Sequence, residues 1–281
     1  RALADYSIDR HYPDIAISDG RYLSLLQAVI DRQARLIAEW MLVGFIHGVM
    51  NTDNVTISGE TIDYGPCAFM DSFDPLTVFS SIDEGGRYAF GRQPAVAQWN
   101  LTRFAETLLP LIADNPEDAI APVTELLETF PETVSRYWHD GMACRLGLST
   151  HVDGDDVLAN DLMQLHQEQR LDLISTMRSL SDHLRGDDID LGGWTARWES
   201  RLQLENATTD ELVQRLDAVN PIYVPRNHLV EEALAQAVAG DLDPFMRLLE
   251  RVTHPYQRVE GADRFAEPGD PAPGYRTYCG T

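Results

Sequence analysis

Not one of the 281 residues is a lysine, so arginine supplies all 22 basic side chains. A phosphate-gripping lysine of the Walker type therefore cannot come from this chain. The glycine-rich phosphate cradles are missing as well, because neither GxGxxG nor GxxxxGK occurs. Cysteine is scarce: Cys67, Cys144 and Cys279 form no CxxC pair, too few for a disulfide framework or a structural zinc site, and they fit a reducing compartment. Positive charge is in short supply too. Forty-five acidic residues give a net charge of -23, a field that repels a phosphate backbone, so no nucleic acid is expected as partner. Long apolar runs are also lacking. The most apolar stretch, "LIAEWMLVGFIHGVM", is short and follows Asp31, Arg32 and Arg35, so it reads as a buried helix and no membrane partner is expected. No signal peptide precedes it, and the opening "RALADYSIDRHYPD" reads as the interior of something longer.

What is present is a core-forming helical pattern, with 44% hydrophobic residues. Apolar residues recur at helical spacing from Tyr22 to about Phe45, and again over 95–112 behind Pro94. Further helices are expected over 122–130, 132–146, 156–184, 194–204, 209–219, 227–239 and 244–252. Gly240 suits a helix end. The last 28 residues carry Pro and Gly densely and read as an irregular, extended tail. The fold class is mainly α, with a small β-hairpin.

That hairpin lies in "HGVMNTDNVTISGETIDYG", His47 to Gly65. "VTI" and "ETI" are β-type runs around Ser58-Gly59, a two-residue turn signal. With that turn, Ile57 pairs with Glu60 and Val55 with Ile62, so Asn54 faces Asp63 at the open end. An amide oxygen and a carboxylate side by side suit Mg²⁺, with Asp53 as a further carboxylate able to accept a proton. Asn and Asp also flank hairpins simply because they favour turns. The wider pattern points further. In protein kinases the catalytic loop runs His, Arg, Asp, four residues, Asn, followed by a hairpin and Asp-Phe-Gly. Here His47 and Asn54 keep the seven-residue spacing and Asp63-Tyr64-Gly65 stands for the triplet, but Val49 occupies the position of the base. The segment 65–94 that follows is long, irregular and of a functional type.

"GFIHGVMNTDNVTISGETIDYGPCAFMDSFDP", "GGRYAFGRQPAVAQWNLTRFAETLLPLI" and "NPIYVPRNHLVEEAL" closely resemble the selenoprotein O family, the bacterial YdiU proteins, over essentially the whole chain. The resemblance implies a pseudokinase fold that transfers AMP from ATP to Ser, Thr or Tyr hydroxyls of proteins. It implies Asp53 as the proton acceptor, Asn54 and Asp63 as ligands of Mg²⁺ or Mn²⁺, and Asp63 also against the ATP phosphates. It divides the chain into a kinase-like C-terminal lobe over 1–148 and a helical extension with an irregular tail over 149–281. The family's N-terminal lobe, which carries its glycine-rich loop and phosphate-binding lysine, is absent from this chain and is the partner it needs. The isolated chain is accordingly expected to bind ATP weakly or not at all and to be inactive. The expected location is cytoplasmic for a bacterial protein and mitochondrial for a eukaryotic one.

Two other functions remain open on the sequence, a kinase-like phosphotransferase, against which Val49 argues, and a non-catalytic pseudokinase binding module. The resemblance also raises a Cys67 to Cys279 bridge, against the simpler reading of Cys67 as a small buried residue and Cys279 as a free thiol. His47 reads as structural, ordering its loop by hydrogen bonding. Arg87 suits either a phosphate contact or an ion pair. "HVDGDD", residues 151–156, lacks the Gly and distal Glu of a calcium loop and reads as the acidic start of a helix. His166, His183 and His228 suggest no metal cluster, and the five tryptophans read as core.

Overall fold

A computed structural model describes residues 1–15, 20–269 and 274–278 of the chain. Among them, eleven α-helices accompany one two-stranded antiparallel sheet. A first helix, α1 (Ala2–His11), was not expected from the sequence. The central helix is α2 (Arg21–Val43), which buries Tyr22, Leu25, Leu26, Val29, Ile30, Ala34 and Ile37 along one stripe. Gly44 ends it in the left-handed conformation (φ 70°), donating its N–H to the Trp40 carbonyl. That turn starts β1 (Phe45–Ile46), which pairs with β2 (Ala68–Phe69), Phe45 opposite Phe69 and Ile46 opposite Ala68. The two short strands are the neck of the loop 47–67.

Helix α3 (Gln93–Ile112) has Pro94 in its first turn, as expected, and packs with α5 (Phe130–Arg145) on α2. Between them, α4 (Pro116–Glu128) starts six residues earlier than expected. Asn115 and Pro116 form its start, and Pro122 is accommodated inside it. The helix expected over 156–184 is two, α6 (Asp155–Gln169) and α7 (Leu173–Leu184). Arg170 turns left-handed (φ 54°) and Asp172 caps the new helix, its carboxylate accepting from the Ser175 N–H at 2.6 Å. Helices α8 (Gly193–Leu202), α9 (Thr209–Val219), α10 (Asn227–Val238) and α11 (Asp243–Thr253) follow, α9 opened by a Thr208–Glu211 capping box.

Two apolar cores result. One gathers α1 to α5 around Leu26, Ile30, Ile37 and Phe130, and the other gathers α5 to α9 with Ile46, Met70 and Phe90 around Trp198. Arginines stitch the second region together. Arg201, 8% exposed, meets Asp155 at 2.6 Å and Glu205 at 2.9 Å. Arg226, fully buried, bridges Asp71 and Asp172 at 2.7 and 2.6 Å and also donates to the Ala266 carbonyl. The acidic 151–156 stretch thus supplies Asp155 as the ion-pair partner of Arg201. Over its described residues the tail is largely irregular, as expected, yet packed rather than extended. Ala262 joins a small core with Ile222 and Tyr223, and Thr277 bridges in parallel to Ser80. Trp40, Trp194 and Trp198 are core residues, but Trp99 is 44% exposed beneath the guanidinium groups of Arg87 and Arg103.

Candidate functional site

The loop 47–67 is held from below by side chains of α2 and α3. Gln93, fully buried, accepts from the His47 N–H at 3.0 Å and donates to the Phe45 carbonyl at 3.0 Å. Asn100, about two helical turns further up the same stripe, donates to the Met50 carbonyl at 3.0 Å. From α2, Gln33 donates to the Thr56 carbonyl at 2.6 Å and the Trp40 indole to Thr61 Oγ1 at 2.9 Å. The Tyr12 hydroxyl reaches the Ile57 carbonyl. All but the Trp40 contact satisfy a backbone group of the irregular loop. None of these residues was singled out by the sequence.

His47 performs the ordering role expected of it. The ring is 1% exposed, its Nδ1 accepts from the Val49 N–H at 3.4 Å, and its Nε2–H donates to the Ile62 carbonyl at 2.8 Å. Those partners fix the neutral tautomer. Burial lowers its pKa, a fall that the Ile62 hydrogen bond and the nearby Asp63 charge only partly offset. Val49, two residues after His47, is 4% exposed. Its backbone is fully used, N–H to His47 and carbonyl to Asn54, so the position is part of the core.

Thr52, Asp53 and Asn54 form a single 3₁₀ turn closed by the Asn54 N–H to the Asn51 carbonyl at 3.0 Å. Asp53 stands exposed on it. Asn54 donates its amide Nδ2–H to the Val49 carbonyl at 3.0 Å, which orients the amide and leaves Oδ1 without a donor among the described residues. Asp63 is exposed and adopts a left-handed backbone (φ 54°), its carboxylate meeting only the Gly65 N–H among the described residues, at 3.4 Å.

The register of the hairpin differs from the one expected. Val55 pairs with Thr61 rather than Ile62, and the turn holds three residues, Ile57, Ser58 and Gly59, instead of two. Thr56 is the reason. Its hydroxyl donates to the Glu60 carbonyl at 2.8 Å and accepts the Glu60 N–H at 2.9 Å, closing the loop one residue early. In this register Asn54 stands opposite Ile62, and Asp63 lies one step beyond. A slip of one would turn the Asp63 side chain to the other face of a regular ribbon, but the left-handed φ at Asp63 breaks the ribbon there.

Among the described residues, no three His, Cys, Asp or Glu side chains converge as a metal cluster, and no helix is long and apolar enough to cross a membrane. Arg87 lies over the Trp99 ring at 4.9 Å, so its visible role is structural. Cys67 donates its thiol to the Tyr64 carbonyl at 3.1 Å, and burial pushes its pKa up to about 11. Cys279 lies outside the described residues. The neighbouring Thr277 is described, and its hydroxyl donates to the Pro66 carbonyl at 2.6 Å.

A family model described as "Protein adenylyltransferase SelO" matches residues 1–253. Proteins named "Protein nucleotidyltransferase YdiU" are similar along the chain. That of Mycolicibacterium smegmatis is 52% identical over 100% of this chain and 58% of its own length. Those of Rhodococcus jostii and Geobacillus kaustophilus are each 49% identical, over 99% and 100% of this chain and 57% and 60% of their own lengths. The chain therefore spans under two thirds of the relatives it matches. With the family match covering most of the residues and half of the positions identical in these relatives, the chain belongs to the SelO family of protein adenylyltransferases.

Proposed function

We propose that this chain is the C-terminal, kinase-like part of a metal-dependent protein nucleotidyltransferase that moves AMP from ATP onto Ser, Thr or Tyr hydroxyls. One observation carries the reading. The loop 47–67 is clamped over most of its length, yet among the described residues the Asp53 carboxylate and Asn54 Oδ1 have no protein partner and Asp63 has only the Gly65 N–H at 3.4 Å. The donor set fits a hard divalent cation, which favours one or two carboxylates and neutral oxygens beside substrate phosphate. Asn54 Oδ1 and Asp63 would hold Mg²⁺ or Mn²⁺, and that ion, when bound, supplies charge neutralisation at the phosphates.

The remaining work falls to the chain itself. Asp53, exposed on its turn, takes the proton of the incoming hydroxyl. The hydroxyl oxygen forms the new bond to the α-phosphorus, the bridging bond to the β-phosphate breaks, and pyrophosphate leaves. His47 stays neutral and fixes the loop, so positioning rather than proton transfer is its contribution. Val49 supports AMP transfer over the phosphotransferase reading, because the position that serves kinases as base is buried and apolar here. The lack of lysine and of a glycine-rich loop supports a second, N-terminal lobe as the other wall of the nucleotide site.

Intact-mass analysis of an acceptor protein incubated with ATP, Mg²⁺ or Mn²⁺ and the full-length enzyme is the test. An AMP adduct is expected, and a phosphate adduct or none overturns the proposal. Titrating ATP and Mg²⁺ into the isolated 281-residue chain is expected to give no micromolar binding, and micromolar binding would show that the second lobe is not needed.

A further inference from the structure

Beside the turn that carries Asp53 lies a cavity of about 400 Å³, walled by Val29 and Gln33 of α2, by Asn100, Leu101 and Phe104 of α3, and by Thr52 and Val55 of the loop. Thr52 and Val55 immediately flank Asp53 and Asn54, so an occupant touches both sides of the turn that presents the proposed base. The walls are largely apolar, and the exposed Arg103 and Thr107 stand at the rim. Two amide side chains line these walls, each with its nitrogen already committed to the loop backbone. Gln33, 2% exposed, has its Nε2–H on the Thr56 carbonyl, and its Oε1 has no partner among the described residues. Asn100, 4% exposed, has its Nδ2–H on the Met50 carbonyl, and its Oδ1 is likewise without a partner. Asn100 Oδ1 is sealed off by its surroundings, so Gln33 Oε1 is the acceptor that stays open to a donor arriving in the cavity.

We infer that this cavity is the substrate-docking pocket of the enzyme and that it receives an aromatic side chain bearing an N–H or O–H, of the tryptophan or tyrosine class, from the protein to be modified. Such a side chain pairs an apolar body with one polar end, as the walls require. Pockets of this volume hold ligands of that size. The net charge of -23 adds that substrates presenting the anchor on a basic segment approach faster than acidic ones. The inference rests on the adenylyl-transfer reading and names what selects the protein substrate.

The test uses the full-length enzyme with a library of peptides, each holding one acceptor hydroxyl and randomised flanks, read by transfer of labelled AMP. Tryptophan and tyrosine are expected to be enriched at one fixed offset from the acceptor. Thr107→Trp, which fills the rim from an exposed helix position, is expected to raise KM about tenfold for the best peptide while KM for ATP holds. It should leave KM unchanged for the same peptide with the anchor replaced by alanine, a selectivity that a general folding defect does not produce. Absence of positional enrichment overturns the docking inference, as does an equal KM rise for both peptides. A Thr107→Trp enzyme that loses ATP affinity as well shows the cavity to be covered by another part of the protein and also overturns it. If the wild-type enzyme labels no peptide and no protein with AMP, the adenylyl-transfer proposal itself has failed.

Discussion

Two sets of carboxylates in this chain live under opposite rules. In the region 149–226, Glu205 has a side chain with no exposure and accepts from Ser149, Thr150, Arg201 and Arg215, while Asp172 is locked by Arg226. In the loop 47–67, Asp53 and Asp63 face solvent with no ion pair among the described residues. The two regions draw on the same pool of permanent cations, since the chain has arginine and no lysine. Arginine, with its fixed fork of donors, is the better residue for locking buried carboxylates. The chain uses it for the frame and leaves the loop acids bare, which is the condition under which a carboxylate can hold a metal or take a proton.

Breaking the bare set and breaking the locked set should give opposite signatures. The largest effect is expected for Asp63→Asn, which keeps a side chain tolerated at positive φ but removes the charge. AMP transfer by the full-length enzyme should fall at least about 1000-fold, roughly 4 kcal/mol in the barrier, with the melting temperature unchanged. A matched fall in melting temperature would erase the distinction drawn here. Glu205→Gln should do the reverse, costing about 3 kcal/mol in urea unfolding because two arginines lose their buried partner, while the folded fraction keeps its turnover.

The locked set also has a pH signature. Burial alone would raise the pKa of Glu205, but hydrogen bonds from Ser149, Thr150 and Arg201 outweigh it and hold the carboxyl at about 2, against an ordinary value of 4.5. The unfolded chain therefore binds more protons across that interval. The contribution of Glu205 is complete above about pH 5 and is lost as pH falls toward 2, a slope that Glu205→Gln should flatten in acid unfolding curves. The smallest effect tests how tightly the loop is clamped. Gly59 has φ 76°, and an added Cβ would lie 2.8 Å from Arg32 Cβ. Gly59→Ala should cost about 1 kcal/mol, seen as faster amide exchange at Glu60 and Thr61 with little change at Ile62.

Much of the helical frame was legible because the apolar stripes of α2, α3 and α9 repeat at the helical period and their ends carry Gly44, Pro94 and the Thr208–Glu211 pair. The break at Arg170 was missed because the stripe runs through it. Asp172, standing just before the apolar Leu173 and Ile174, was a readable cap signal. The loop's candidate residues Asp53, Asn54 and Asp63 stood out by spacing, but the register of the hairpin did not. It is set by the Thr56 hydroxyl satisfying two backbone groups of Glu60, a contact that strand propensity does not encode. The supporting amides were hidden for a related reason. Gln93 and Asn100 sit seven apart on the buried stripe of α3, and a polar side chain recurring on an apolar face every two turns was the available clue.

The left-handed backbone at Asp63 has a consequence for how this position can vary. Asparagine and glycine fit that conformation but carry no charge, whereas glutamate carries the charge but fits it poorly. Aspartate alone satisfies both demands. With the proposed role the position is filtered twice, once by the chain's geometry and once by its chemistry, and a reverse mutational scan that swapped acid for acid is expected to find it as intolerant as one that removed the acid altogether.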